Sequence, residues 1–512
     1  MTNSEVTEHH EENIRAWAKG GAAGLGGNFV GFVLMFVWQF SLARMLGSAK
    51  LGIFSLADSI ISMLSLFALL GLNGGALRFI PFYQAKEDKQ SVAGVIRLTI
   101  TLAILISILI GPLLVWQAGW ISVKVFGKPE LSATLRMYAI GFPFFVLINL
   151  LTSILQGFKR IGEQMFAQQV LEPVLQLGGI LLFFFLLTIG SVEAALVMVV
   201  SASAVVLVLT ILVFRQYTLN GLRGVKPHYH YSELFKYSAQ ILLMLLITQF
   251  SVNLEIFFMG IFAPSQQIGI YSVSMKAAAA LLIFSSSLNL IASPSISSLY
   301  AKNDHAGIQS LYKVVTRWGY MLSLPFFLML MMLSASVMGI FGNDFRIGSL
   351  VLQLIVVGQE VNIITGPCGW MLNMTGHARL NLFANVIYLI VAATLSGLLI
   401  PRFGAVGAGI TVLAAMTIVN LTRLIQVYRN LHIHPYDKNY LQPTLAGVMV
   451  GFIFLLATPK ILHWNEWAGM AIIALGMLIS YSILLLIFGF PHEDKVLFNS
   501  LPDKIQSFLK RK

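Results

Sequence analysis

The sequence predicts an all-α, polytopic membrane protein with about 14 transmembrane helices, each roughly 20 apolar residues long. Two observations carry this. Of the 512 residues, 57% are hydrophobic and only 11% charged, and the mean hydropathy is +0.82. A soluble chain of this length cannot clothe its surface with so few charges, so lipid must be its main solvent. The chain also contains itself twice. Lys50-Leu-Gly-Ile-Phe-Ser-Leu-Ala-Asp58 recurs as Gln267-Ile-Gly-Ile-Tyr-Ser-Val-Ser-Met275. Each copy leads, after one membrane length, to a polar exit: Tyr83-Gln-Ala-Lys-Glu-Asp88 and Tyr300-Ala-Lys-Asn-Asp304. Further on, Gly190-Ser-Val-Glu-Ala194 answers Gly404-Ala-Val-Gly-Ala408. Paired lobes of this kind are the usual machinery of alternating-access transport.

The apolar stretches fall at 22–46, 53–77, 94–117, 131–155, 166–188, 192–214, 234–262, 269–292, 312–335, 345–373, 380–400, 404–427, 442–461 and 467–490. The tenth is interrupted by glycines and a proline, and a short Pro401-Arg402-Phe403 turn introduces the twelfth. Lysine and arginine set the orientation. With the N-terminus cytoplasmic, the inner loops and tails hold 23 of them and the outer loops 7. That bias predicts an even number of spans with both termini inside. It also accounts for the formal +12 charge as topology and attraction to anionic lipid. The basic residues are scattered among loops, which excludes a nucleic-acid-binding face.

The repeat begins in span 2 and again in span 8. An even separation makes the lobes parallel, related by an axis along the membrane normal. The expected organisation is a cytoplasmic N-terminus (1–21), an N-lobe of spans 1–6 (22–214), a linker (215–233), a C-lobe of spans 7–12 (234–427), spans 13–14 (442–490) and a cytoplasmic tail (491–512). No polar stretch is long enough for an ordinary soluble domain. No nucleotide loop, nucleophile triad or zinc motif is present, so no catalytic residue, metal or cofactor is expected. Glu5, Glu8, Glu11 and Glu12 give the N-terminus the wrong form for a cleaved signal peptide. The stretch 118–129, with Trp120, Lys124, Val125 and Phe126, reads as an amphipathic helix in the outer interface.

A family resemblance lies in Leu372-Asn-Met-Thr-Gly376-His-Ala-Arg379 followed by Leu399-Ile-Pro401-Arg-Phe-Gly404-Ala-Val-Gly407-Ala408-Gly409, and in the Gly52-Ile-Phe-Ser and Gly269-Ile-Tyr-Ser span starts. These are similar to the O-antigen type polysaccharide flippases of the multidrug/oligosaccharidyl-lipid/polysaccharide exporter superfamily. The resemblance covers nearly the whole chain. It implies two six-helix bundles in a V around a central cavity. It also implies a polyprenyl-diphosphate-linked oligosaccharide as cargo, a place in the cytoplasmic (inner) membrane, polysaccharide assembly proteins as partners, and H⁺ or Na⁺ as coupling ions in some members.

Charges within spans are costly, so they face a cavity or each other. Arg44, Asp58, Glu255 and Lys276 lie toward the outer ends of spans 1, 2, 7 and 8. They read either as intra-lobe ion pairs or as an Asp58–Lys276 gate across the cleft. Arg97, Arg78 and Arg317, toward the inner ends of spans 3, 2 and 9, suit the oxygens of a diphosphate; Arg78 and Arg317 serve equally as positive-inside anchors. Gln39 and Gln249 line the cavity or bond between helices. Glu360 in span 10, and Glu172 in span 5, are either protonatable coupling sites or neutral acids bonded to a neighbour. Asn381 and Asn385 share one face of span 11. With Glu255 they resemble the cation site of lipid II flippases, with asparagine in place of a carboxylate.

Two other readings remain at this point. A multidrug exporter of the same superfamily would favour an acidic or apolar cavity for its cationic cargo. A membrane polysaccharide polymerase or glycosyltransferase would need a sizeable outer loop, and the longest outer segment is the short one near 118–130.

Overall fold

The computed structural model describes residues 3–186 and 190–489; expectations on the C-terminal tail lie outside them. No strand occurs among these residues, and the chain divides by its own contacts into two compact units, Met1–Ser272 and Val273–Lys512. The division falls inside a helix that begins the second repeat, and α8 and the start of α9 belong to the first unit.

The first unit contains α1 (Asn3–Leu69), α2 (Leu72–Ala85), α3 (Lys89–Trp120), α4 (Leu131–Gly157), α5 (Ile161–Met165), α6 (Glu172–Leu186), α7 (Ser191–Leu219), α8 (Tyr231–Phe262) and the first part of α9 (Ser265–Ala278). Its hub is α4, which packs on α1, α2, α3 and α7. Leu131, Leu135, Tyr138, Phe142 and Val146 recur every three or four residues and are all fully buried, which is the stripe a packed helix requires. The buried face of α7 mixes small residues, Ala194, Ala195, Ser201 and Ala202, with valines such as Val197 and Val205, while Val200, Leu207, Ile211 and Phe214 are 57–63% exposed. Small residues among the buried ones let helices approach closely when the solvent is itself apolar, and the apolar outward residues suit lipid.

The second unit continues α9 and adds α10 (Leu282–Ala301), α11 (His305–Met332), α12 (Ser334–Phe341), α13 (Ser349–Thr365), α14 (Cys368–Met374), α15 (Ala378–Leu431), α16 (Leu441–Trp464) and α17 (Glu466–Phe488). There α13 packs on α11 and α15, and α16 pairs with α17. Tyr320, Leu324, Ala446, Ile473, Met477 and Tyr481 form a core that ties this C-terminal pair to α11. The Tyr481 hydroxyl donates to the Met321 carbonyl at 3.1 Å.

Among the described residues twelve helices are long and apolar enough to cross a membrane. The expected fourteen separate spans are not counted as such, because two of these helical runs each take in the stretch of two expected spans. The runs Val33–Leu69 and Ala378–Leu431 are 37 and 54 residues long. Each is broken by one glycine outside helical geometry, Gly47 (φ 70°, ψ 173°) and Gly404 (φ 55°, ψ −127°). These positive φ values suit glycine because it lacks a Cβ. The breaks fall where spans 1 and 2, and 11 and 12, were expected to join. The Pro401-Arg402-Phe403 turn is accordingly absent, and those residues stay helical up to Gly404.

The repeat reappears as matched backbone. Glu87 (φ 56°) and Asn303 (φ 54°) take the same left-handed turn after α2 and α10. Asp88 and Asp304 then cap the next helices, accepting from the amides of Ser91 at 3.0 Å and Gly307 at 2.8 Å. The hydroxyl and amide of Ser91 hold the Asp88 carboxyl below the usual carboxylate range. A depressed value means this contribution to stability is present at neutral pH and lost as pH falls through the folded value.

The two copies of the repeated motif meet within the first unit. A Cβ on Gly52 would lie 1.8 Å from the Ser265 carbonyl oxygen, and one on Gly269 would lie 2.0 Å from that of Ser48. One turn on, Ser55 donates to Ser272 at 3.0 Å, two residues 217 apart, the spacing of the repeat itself. Ser59 donates to Asn253 of α8 at 3.0 Å in the same seam.

The stretch 118–129 is not the separate interfacial helix that its pattern suggested. It continues α3 through a π-helical turn, Ile121–Val125, and then folds inward. Phe126 is buried against Phe257, and Lys128 donates to the Gly260 carbonyl. Burial lowers the Lys128 pKa.

Candidate functional site

In the first unit the arginines lean on aromatic rings. Arg78 on α2 is exposed, its guanidinium 4.3 Å from the Tyr237 ring centre and 5.5 Å from that of Phe79. Arg97 on α3 is exposed too and donates from Nε to the Tyr217 hydroxyl at 3.1 Å. No carboxylate pairs with either among the described residues. Cations held by rings keep most of their hydrogen-bonding donors for another partner. Gln39 is buried with its Nε2 unpartnered among the described residues, and Gln249 is half-buried. Arg44 lies over the Phe40 ring at 5.6 Å. Asp58 is half-buried and close enough to Tyr138 and Glu172 to act on both electrostatically. Glu172 also accepts from Gln176 at 3.3 Å. Glu255 is 1% exposed on α8.

In the second unit Lys276 is exposed on α9. Arg317, expected at an inner span end, is instead 2% exposed and donates to Asp437 at 2.9 Å. A phosphate meeting Arg317 would share it with that carboxylate or displace it. Glu360 on α13 is 4% exposed; one oxygen accepts from Ser323 at 3.0 Å and the other has no hydrogen-bond partner among the described residues.

A polar cavity of about 250 Å³ in this unit lies where α10, α11, α13, α14 and α15 converge. Asn289, Asn362, Asn373, Asn381, Asn420 and Arg423 line it, with Trp370 and Thr316. Gly366-Pro367 makes the site possible by ending α13. Gly366 takes φ 74°, and a Cβ there would lie 2.0 Å from the Thr316 hydroxyl oxygen. The chain then restarts as the seven-residue α14, which carries Trp370 and Asn373 to the wall. Asn381 donates to Asn373 at 3.1 Å, while Arg423 donates to Asn385 at 2.5 Å. Nε of Arg423 and Oδ1 of Asn381 are buried without partners among the described residues.

The sequence pointed to Asn381 and Asn385 but not to Arg423, which its position near the inner end of span 12 assigned to the cytoplasmic anchors. Asn420 and Arg423, three residues apart, share a helix face, and that spacing was the available signal. Asp437 lay in a loop with no pattern to single it out. A guanidinium on the Oδ1 of Asn385 sets a permanent positive charge where a bound cation would need an acceptor.

Comparison with known proteins agrees with this architecture. A search of solved structures finds the lipid II flippase MurJ in an inward closed conformation (TM-score 0.68, 16% identity, 91% of this chain and 98% of that one). It also finds an inward-facing multidrug resistance MATE family transporter of the MOP superfamily (TM-score 0.66, 15% identity, 78% and 94%). These likenesses establish the fold. Among curated proteins the chain is 26% identical over 389 residues to the probable low-salt glycan biosynthesis flippase Agl15 of Haloferax volcanii, covering 75% of this chain and 77% of that one. It is 20% identical over 410 residues to a putative O-antigen transporter of Shigella flexneri, covering 76% and 94%. The family described as "Polysaccharide biosynthesis protein" matches residues 17–300. Since that match takes in more than half of the 512 residues, the chain belongs to the polysaccharide biosynthesis protein family.

Proposed function

We propose that this protein is a flippase that carries a lipid-linked oligosaccharide across the cytoplasmic membrane by alternating access, with both termini cytoplasmic. The family match over 17–300, with relatives named as a glycan flippase and an O-antigen transporter, carries this reading. The charge of the candidate sites supports it. Among the described residues Arg78 and Arg97 have no acidic partner and no carboxylate lines the cavity of Arg423, so these positions suit an anionic cargo and repel a cationic drug. Polysaccharide assembly proteins are the partners that such a role implies.

Arg97 tests the cargo. Arg97→Ala is expected to lower flipping of a fluorescent lipid-linked oligosaccharide in proteoliposomes at least tenfold with the protein still folded. Arg97→Lys is expected to recover only part, because lysine keeps the charge and loses the planar fork. Full activity of the alanine variant would remove Arg97 from the site.

Glu360 tests the coupling. A buried carboxylate with one hydroxyl donor can gain and lose a proton within the protein, and we place H⁺ coupling here rather than at the asparagine pair. Glu360→Gln keeps the volume and the bond to Ser323. Transport by this variant is expected to stop responding to an imposed pH gradient while gradient-free exchange persists. An unchanged response would move the coupling elsewhere.

A further inference from the structure

We infer that the cavity between α10, α11, α13, α14 and α15 is a subsite for one acidic sugar ring, with Arg423 reading its carboxylate and the asparagines its hydroxyls. This rests on the proposed function and adds to it the class of sugar. Four observations converge. The first is size. Ligand pockets for drug-sized molecules start near 300 Å³, so the ~250 Å³ cavity admits one ring and not a chain.

The second is the wall. Asn289, Asn362, Asn373, Asn381 and Asn420 are five amides, each able both to donate and to accept. A pair of vicinal hydroxyls, which also donate and accept, is the matching surface. A phosphate is chiefly an acceptor and would leave most of the amide oxygens unmet.

The third is charge. Arg423 lies against this wall, and no Asp or Glu lines the cavity. Among the described residues this half-buried guanidinium bonds to the neutral Asn385, its Nε is unmet, and no carboxylate supplies a counter-charge at the cavity. A ligand carboxylate supplies one, and charge-assisted bonds of that kind are the strong ones. The same charge excludes a sodium ion.

The fourth is the aromatic platform. Trp370 is 43% exposed at the cavity wall, where an indole can stack against the apolar C–H side of a sugar. The break at Gly366-Pro367 starts the short helix that carries it to the wall.

The test uses the full chain, purified in detergent, with free glucuronate, glucose, inorganic phosphate and pyrophosphate titrated by calorimetry. Glucuronate is expected to bind saturably and at least tenfold more tightly than glucose, with both phosphates weaker. Arg423→Gln is expected to reduce glucuronate to the level of glucose, and Asn381→Ala to weaken both sugars. Absence of saturable glucuronate binding, or equal binding of glucose by the unaltered protein, would overturn the assignment without need of any variant. Pyrophosphate binding more tightly than glucuronate would overturn it in favour of a phosphate site. Free monosaccharide binding requires no flipping. Loss of the flippase reading in proteoliposomes with glucuronate binding intact, or the reverse, therefore separates the two.

Discussion

Gly52→Ala is expected to be among the most damaging single-methyl additions in this protein. The new Cβ would stand 1.8 Å from the Ser265 carbonyl oxygen, and the obstacle is backbone, not a side chain that can rotate away. Gly269→Ala meets the Ser48 carbonyl at 2.0 Å in the reciprocal arrangement. Overpacking a fitted core costs about 1–3 kcal/mol, and a collision with backbone belongs at the top of that range or above it. Thermal unfolding in detergent should show each variant well below the unaltered protein. Gly178→Ala is the control, because its Cβ would meet nothing within 4 Å. Its melting temperature is expected to hold. If Gly52→Ala melts with the unaltered protein, the two copies of the motif do not pack as described.

The second large effect is at Arg317. Its side chain is among the largest fully buried ones, and it is held by Asp437 at 2.9 Å. Arg317→Met should cost about 3–5 kcal/mol, because Asp437 is left in a site that no longer neutralises it. Pairing it with Asp437→Leu should return much of that loss, since two apolar residues require no desolvation of charge. A double-mutant cycle in the same melting assay reads the coupling. Strictly additive losses would show that the pair does not act as a unit. If Arg317 instead serves a diphosphate, Arg317→Met with Asp437→Leu should be stable and inactive, which the flipping assay separates from a structural role.

How far the chain was legible depended on whether the signal was local. Hydropathy marked nearly every apolar helix, because lipid as solvent demands some 20 apolar residues at a stretch whatever the packing. The repeat was legible too, and its polar exits fold into the same left-handed turn and aspartate cap. Span boundaries were less so. Gly47 and Gly404 break helices without any polar loop, and one residue's φ leaves no trace in a hydropathy pattern. The stretch 118–129 misled for a related reason: Phe126 and Lys128 look amphipathic, yet both are claimed by α8.

The site was legible in type and not in place. That arginines, buried acids and asparagines would matter followed from the cost of polar groups in lipid, which needs no coordinates. Partners could not be read, because they lie far apart in sequence. Arg317 reaches Asp437 across 120 residues, and Arg423 reaches Asn385 across 38. Thus the sequence by itself determined the solvent, the helices, the duplication and the residue types of the site. Only the tertiary structure decided that Arg317 is held by a carboxylate while Arg423, indistinguishable from a loop anchor along the chain, stands at a polar cavity with no acid to answer it among the described residues. Whether a cation is anchor, brace or ligand depends on what surrounds it, and packing alone supplies those surroundings.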